Sequence, residues 1–329
     1  MTFARAAARG RFSYRSRVVT KFREVVELDA GPRLSISSGP HLVEIAPAAG
    51  GRITRFATEG ERGWHEWLAP VSASSWPCDA WPKGGSYPLV PFSNRVRDAR
   101  FPAPDGAIVE LATFPGMAHA LHGFGQFAAW SVELQEADCV VLRYLHGEGE
   151  HGWPWAFEAV QLIEANTDGV RLSMRVANRS SRPMPVGLGF HPYFGAQEAE
   201  LHTTTHWRHE AEIAIEPTVE RPVYRHVREE EGYTRYLSGW DRRATLHYAD
   251  GRTLELHADG ALSHVVVHCP AGAAYLCVEP VSHVSDGFNL AARGLAGTGV
   301  AVIEPGSEIQ VSLAMAAGAN PAPRDGDAA

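Results

Sequence analysis

The chain has 329 residues, of which 45% are hydrophobic and 21% charged, and its formal net charge is −8. That is an ordinary composition for a globular protein with one large core or two modest ones, and the acidic balance excludes a nucleic-acid partner, because neutralising phosphates needs a basic surface. No apolar run reaches the roughly 20 residues that a membrane-crossing helix needs, so a soluble protein without a membrane partner is expected.

In chain order, residues 1–23 come first, with seven Lys or Arg and no acid. They lack the apolar stretch of a secretory signal and read as a weakly ordered basic extension. One folded domain is expected over residues 24–318, followed by a disordered tail over 319–329. The four cysteines, Cys78, Cys139, Cys269 and Cys277, form no CxxC pair and read as reduced thiols of a cytoplasmic protein. Period-2 alternation marks strands at "RLSMRVAN" (171–178), "ATLHYADGRTLELHA" (244–258, turning at Asp250-Gly251), "HVVVHC" (264–269) and "EIQVSLAMA" (308–316). Sustained helical periodicity is missing, and 32 Gly with 22 Pro suit many turns. The class is all-β, as one large antiparallel sandwich.

Four segments between these strands carry chemistry: "PFSNRVRDARF" (91–101), "HALHGFGQFAAW" (119–130), "GLGFHPYF" (187–194) and "LCVEPVSHVSDGFN" (276–289). Asn94 and Arg95 offer an amide and a fork of donors able to grip hydroxyls. His122 precedes a glycine, where a ligand can approach the backbone. His191 and Glu279 are expected at strand ends; a buried carboxylate there has the raised pKa of a base near neutral pH. Glu304 also precedes a proline, but Pro305-Gly306 reads as a tight turn, which makes Glu304 structural. His202, His206 and His209 in "HTTTHWRH" have metal-like spacing only on a helix; the threonines predict an extended segment with solvated histidines. Most of the nine tryptophans are expected in core or rim packing, with one or two at most against a ligand.

Taken together and in this order, from about residue 40 to about residue 315, these segments resemble the aldose 1-epimerases, the mutarotases of the galactose-mutarotase-like superfamily, and especially the bacterial branch with "HGFG" and "HPYF" signatures. The resemblance implies a large twisted antiparallel β-sandwich (the galactose-mutarotase-like supersandwich), a reducing sugar as substrate and no cofactor. It implies that His191 is the general acid, Glu279 the general base and His122 a second histidine near the ring oxygen. It further implies that Asn94 and Arg95 grip the sugar and that Asp241 in "SGWD" holds ring hydroxyls. The expected reaction interconverts α and β anomers by ring opening and re-closure, which needs one group to take the C1 hydroxyl proton and another to protonate the ring oxygen. Two alternatives stand beside it. A hexose-6-phosphate mutarotase would need a cluster of cations, and strand alternation keeps Arg95, Arg97 and Arg100 out of one pocket. A non-catalytic sugar-binding module would have no use for the His191–Glu279 pair. The particular sugar and the oligomeric state are not legible.

Overall fold

The structure, a computed structural model, describes residues 25–218 and 224–318; the basic extension and the C-terminal tail lie outside the described residues. Two antiparallel sheets make up most of the fold. One has nine strands, running from Ser131–Gln135 at one edge through Gly169–Asn178 and Glu308–Ala317 to Arg225–Val227 at the other. The second has eleven, and its centre is formed by Ser86–Leu89, Gly189–Phe194, Leu276–Val281, His264–Cys269 and Tyr233–Ser238 side by side. The alternating segments fold as expected: Gly169–Asn178, Arg243–His247 with Thr253–Gly260, His264–Cys269 and Glu308–Ala317 are strands. Among the described residues the α-helix is confined to Gly287–Ala292.

The two sheets differ in what they cover, and period-2 geometry makes the difference legible. Cys139–His146 alternates buried with partly exposed residues, so the nine-stranded sheet has an outer face toward solvent. Gly189–Phe194 and Leu276–Val281 are buried at every position. Their even-numbered residues Phe190, Phe194, Leu276 and Val278 join Leu172, Met174, Leu256 and Leu313 of the opposite sheet in the core between the layers. Their odd-numbered residues face the other way, where Tyr193, Cys277 and Val281 meet Tyr87, Trp81, Tyr236 and Val266 in a second apolar cluster. This second, covered face holds the site. His191 and Glu279 lie in the middle of their strands rather than at strand ends, and alternation alone turns them away from the core.

Candidate active site

Register sets the floor of the site. His191 pairs with Tyr87 on one side, Glu279 pairs with Val266 on the other, and Tyr236 pairs with Val266 in turn. These side chains share one face because residues directly opposite each other in a sheet point the same way. His191 is held between the rings of Tyr87 and Tyr193, each with its centroid 4.7 Å away. His191 Nε2 lies 3.4 Å from Glu279 Oε1, and both side chains are buried. Above them is a cavity of about 230 Å³, lined among others by Asn94, Arg95, His122, His191, Glu212 and Glu279.

The walls come from loops that the floor cannot supply. Asn94 and His122 both have left-handed backbone, with φ of 53° and 59°, an uncommon conformation outside glycine. They hold one another: the His122 N–H donates to the Asn94 carbonyl at 2.9 Å, and the Asn94 N–H donates to His122 Nδ1 at 3.2 Å. With Nδ1 an acceptor, the neutral ring carries its proton on Nε2. Gly123 follows because the Val90 carbonyl would lie 2.1 Å from a Cβ there. Asp286 fixes the other side of the segment. Its N–H donates to the Arg95 carbonyl at 2.7 Å, and its carboxylate accepts the Arg97 N–H at 2.9 Å. His283 Nε2 accepts the Ser93 N–H at 3.1 Å. The downstream end of the "VEPVSHVSD" segment therefore serves as a clamp on "SNRVR".

Two further elements complete the enclosure. The hairpin of Thr205–Glu210 and Ile213–Thr218 turns at Ala211 and Glu212, both with positive φ. The Glu212 carbonyl accepts from Tyr236 Oη at 3.0 Å and Ser285 Oγ at 2.8 Å, while its carboxylate forms an ion pair with Arg95. On the far wall, Lys83 places its ammonium 4.3 Å from the Trp81 ring centroid. The fully buried Arg52 stacks on Tyr87 at 4.4 Å and donates to the Gly84 carbonyl at 2.8 Å, anchoring the Lys83 loop from beneath.

Burial dominates the electrostatics. It pushes the Glu279 carboxyl up to about 8, with Glu212 adding to the rise and Arg95 opposing it. Burial holds His191 well below the ordinary histidine value, and the nearby His122, His268, Arg52 and Lys83 act in the same direction. His122 is lowered well below its ordinary value for the same first reason, with Arg95 next. Low dielectric disfavours both charged forms, so at neutral pH both groups are neutral and the Glu279 carboxyl keeps its proton. Among the described residues, His191 Nδ1 and Glu279 Oε2 are buried polar atoms with no hydrogen-bond partner. Such atoms carry a desolvation cost.

The model of the family described as aldose 1-epimerase matches residues 33–316. The chain belongs to the aldose 1-epimerase family. A curated relative, the uncharacterized protein YphB of Escherichia coli K12, is 31% identical over 108 residues, which cover 33% of this chain and 36% of that protein; the chain thus matches about a third of the relative's length. Among solved structures, a candidate aldose 1-epimerase from Escherichia coli K12 superposes with a TM-score of 0.74 at 20% identity, covering 87% of this chain and 99% of the other. A galactose mutarotase-like protein from Clostridium acetobutylicum gives 0.71 at 15% identity, covering 90% and 99%. At these identities the likeness establishes the fold.

In this aldose 1-epimerase-family fold, five of the six expected site residues, Asn94, Arg95, His122, His191 and Glu279, line one cavity. Asp241 does not. It is exposed in the turn before Arg243–His247, where its carboxylate accepts the Arg243 N–H at 3.1 Å. The acids at the cavity besides Glu279 are Asp79 and Glu212. Arg97 turns to Asp286 and Arg100 to Glu110, so the three arginines do diverge. The "HTTTHWRH" segment is extended, with Thr205–Glu210 a strand. Of its histidines only His202 is exposed; His209 is partly buried, with Nε2 3.0 Å from the Thr234 carbonyl. Glu304 is exposed beside the Pro305-Gly306 turn. Trp67, Trp153 and Trp155 are core residues, Trp64 is exposed, and Trp81 is the tryptophan at the cavity. Sequence reasoning missed Lys83, Tyr193, Glu212, Tyr236 and His268. His268 was open to inference, since "HVVVHC" alternates and its odd and even positions must face opposite sides.

Proposed function

We propose that the protein is an aldose 1-epimerase acting on a free reducing sugar, and the observation that carries the reading is the buried His191–Glu279 pair, 3.4 Å apart on the floor of a sugar-sized cavity. The pair holds one transferable proton, which makes it an acid and a base at once. As sugar hydroxyls and Arg95 stabilise the carboxylate, the proton passes from Glu279 to His191. Glu279 then takes the C1 hydroxyl proton while His191 protonates the ring oxygen, the C1–O5 bond breaks, and an open-chain aldehyde forms. Rotation about C1–C2 and the reverse transfers close the ring to the other anomer. His122, neutral and with its Nε2 proton, donates a hydrogen bond near the ring oxygen without competing for the transferred proton.

Asn94 and Arg95 bind hydroxyls, and Glu212 takes the part first expected of Asp241. Its carboxylate is anchored by Arg95 at the cavity wall, where it accepts from vicinal hydroxyls. A 6-phosphate is not favoured. Of the cations lining the cavity, Arg95 is already paired with Glu212, which leaves Lys83, its ammonium over the Trp81 ring, rather than the cluster a dianion needs. A polarimetric screen of anomerically pure hexoses, with and without a 6-phosphate, tests the proposal. Acceleration of free hexoses is the expected result. Acceleration confined to the phosphorylated sugars would replace the substrate assignment, and tight binding with no acceleration would replace the enzyme by a binding module.

A further inference from the structure

One side chain on the floor has no part in this reaction. Cys277 lies two residues before Glu279 on the same strand and so on the same face, directly opposite Tyr193 in register. It is fully buried as a free thiol. One donor atom each from His191, Cys277 and Glu279 fall within 4.8 Å of one another. Two of those residues carry a buried polar atom without a hydrogen-bond partner, His191 Nδ1 and Glu279 Oε2. Sulfur, nitrogen and oxygen donors that close match the preference of zinc, with bonds of about 2.3 Å to sulfur and about 2.0–2.2 Å to nitrogen and oxygen. The set does not suit magnesium or calcium, which need many oxygens.

We propose that His191, Cys277 and Glu279 form a three-ligand site for zinc or a similarly thiophilic dication, with the fourth position open to the cavity, and that filling it turns the acid–base pair off. Three protein ligands with one open position is a stable zinc arrangement. Binding removes the thiol proton of Cys277 and the carboxyl proton of Glu279, both released to solvent, and ties up the lone pair His191 needs. The metal is thus an inhibitor competing with sugar. The inhibition rests on the epimerase reading, whereas the binding does not.

The test uses the full chain and cobalt(II) as a spectroscopic stand-in for zinc. Wild type is expected to give one thiolate-to-cobalt charge-transfer band at one equivalent. Cys139→Ser, which removes the thiol from the superficial Glu136–Asp138–Cys139 cluster, should keep the band, and Cys277→Ser should lose it. In calorimetric titration with zinc, Cys277→Ala should bind more than about tenfold more weakly, since even outer-shell partners are worth about 10–100-fold in metal affinity. In polarimetry, zinc should inhibit wild type competitively and reversibly on chelation, and the inhibition constant of Cys277→Ala should rise by the same factor at unchanged basal rate. Far-UV circular dichroism checks that the variants fold, with the serine and alanine forms standing in for one another. No band, a band lost with Cys139, or equal zinc affinity in Cys277→Ala overturns the site. Cobalt binding through Cys277 in a protein that accelerates no sugar upholds the site and refutes the epimerase.

Discussion

Glu279→Gln separates the cost of burying a charge from the chemistry that the charge serves. The carboxyl titrates near 4.5 in the unfolded chain and about 8 in the fold. A group raised by folding gives its full contribution to stability below the unfolded value and loses it as pH climbs through the folded one. Wild type should therefore lose stability between about pH 4.5 and pH 8, by up to ~5 kcal/mol at about 1.4 kcal/mol for each tenfold change. Glutamine keeps the shape and cannot ionise, so this slope should vanish. Urea unfolding at intervals from pH 5 to pH 9, with m-values compared to confirm the same unfolded state, reads the effect directly. The two proteins should be close in stability at pH 5, and the glutamine variant should be the more stable by several kcal/mol at pH 9. A difference that does not change with pH would mean that Glu279 ionises freely in the fold, and the argument from burial would fail.

The same pair shapes the reaction's pH dependence: kcat/KM should fall above about pH 8 as the shared proton is lost, and its acid limb should lie below pH 6.5 because His191 is held below its ordinary value. An acid limb at or above 6.5 would contradict the placement of His191 in a buried, cation-rich setting. Arg95→Ala should raise KM more than it lowers kcat, as loss of uniform binding does; abolished turnover at unchanged KM would make Arg95 part of the proton transfer. Glu212→Gln should lower kcat/KM about ten- to hundredfold, the equivalent of one lost hydrogen bond to a charged group, while Asp241→Asn should stay within about twofold as a surface substitution. The reverse ranking in steady-state polarimetry would return the hydroxyl-binding role to Asp241.

The contrast between Glu212 and His191 shows what the linear chain discloses. The alternation of "GLGFHPYF" and "LCVEPV" places Phe190 and Val278 on one face and His191 and Glu279 on the other, so the floor of the site and the all-β class are written in local pattern. Strand ends are expected at His191 and Glu279 from the sequence, but both strands continue past them with both faces covered, and mid-strand positions serve as well. Glu212 sits in a turn whose neighbours carry no pattern, and what brings it to Arg95 is the pairing of Thr205–Glu210 with Tyr233–Ser238, a contact between distant strands. Arg52 is hidden for a similar reason. Its charge is stabilised by ring faces and loop carbonyls that only the folded chain assembles, and an arginine at a strand start reads as surface until then. Asp241 is implied by resemblance alone, and order along the chain does not fix which turn reaches a cavity.

The most direct measurement is the polarimetric relaxation of pure α-D-glucose and α-D-galactose, corrected for the spontaneous rate, alongside calorimetric sugar binding. Wild type should accelerate relaxation of at least one sugar in proportion to enzyme concentration. Glu279→Gln and His191→Asn should each still bind sugar but lose about 10²–10⁴-fold in rate, and the double variant should lose less than the product of the two, because both groups serve one proton-transfer step. Full activity in either single variant, or a wild type that binds sugar and never exceeds the spontaneous rate, would contradict the account.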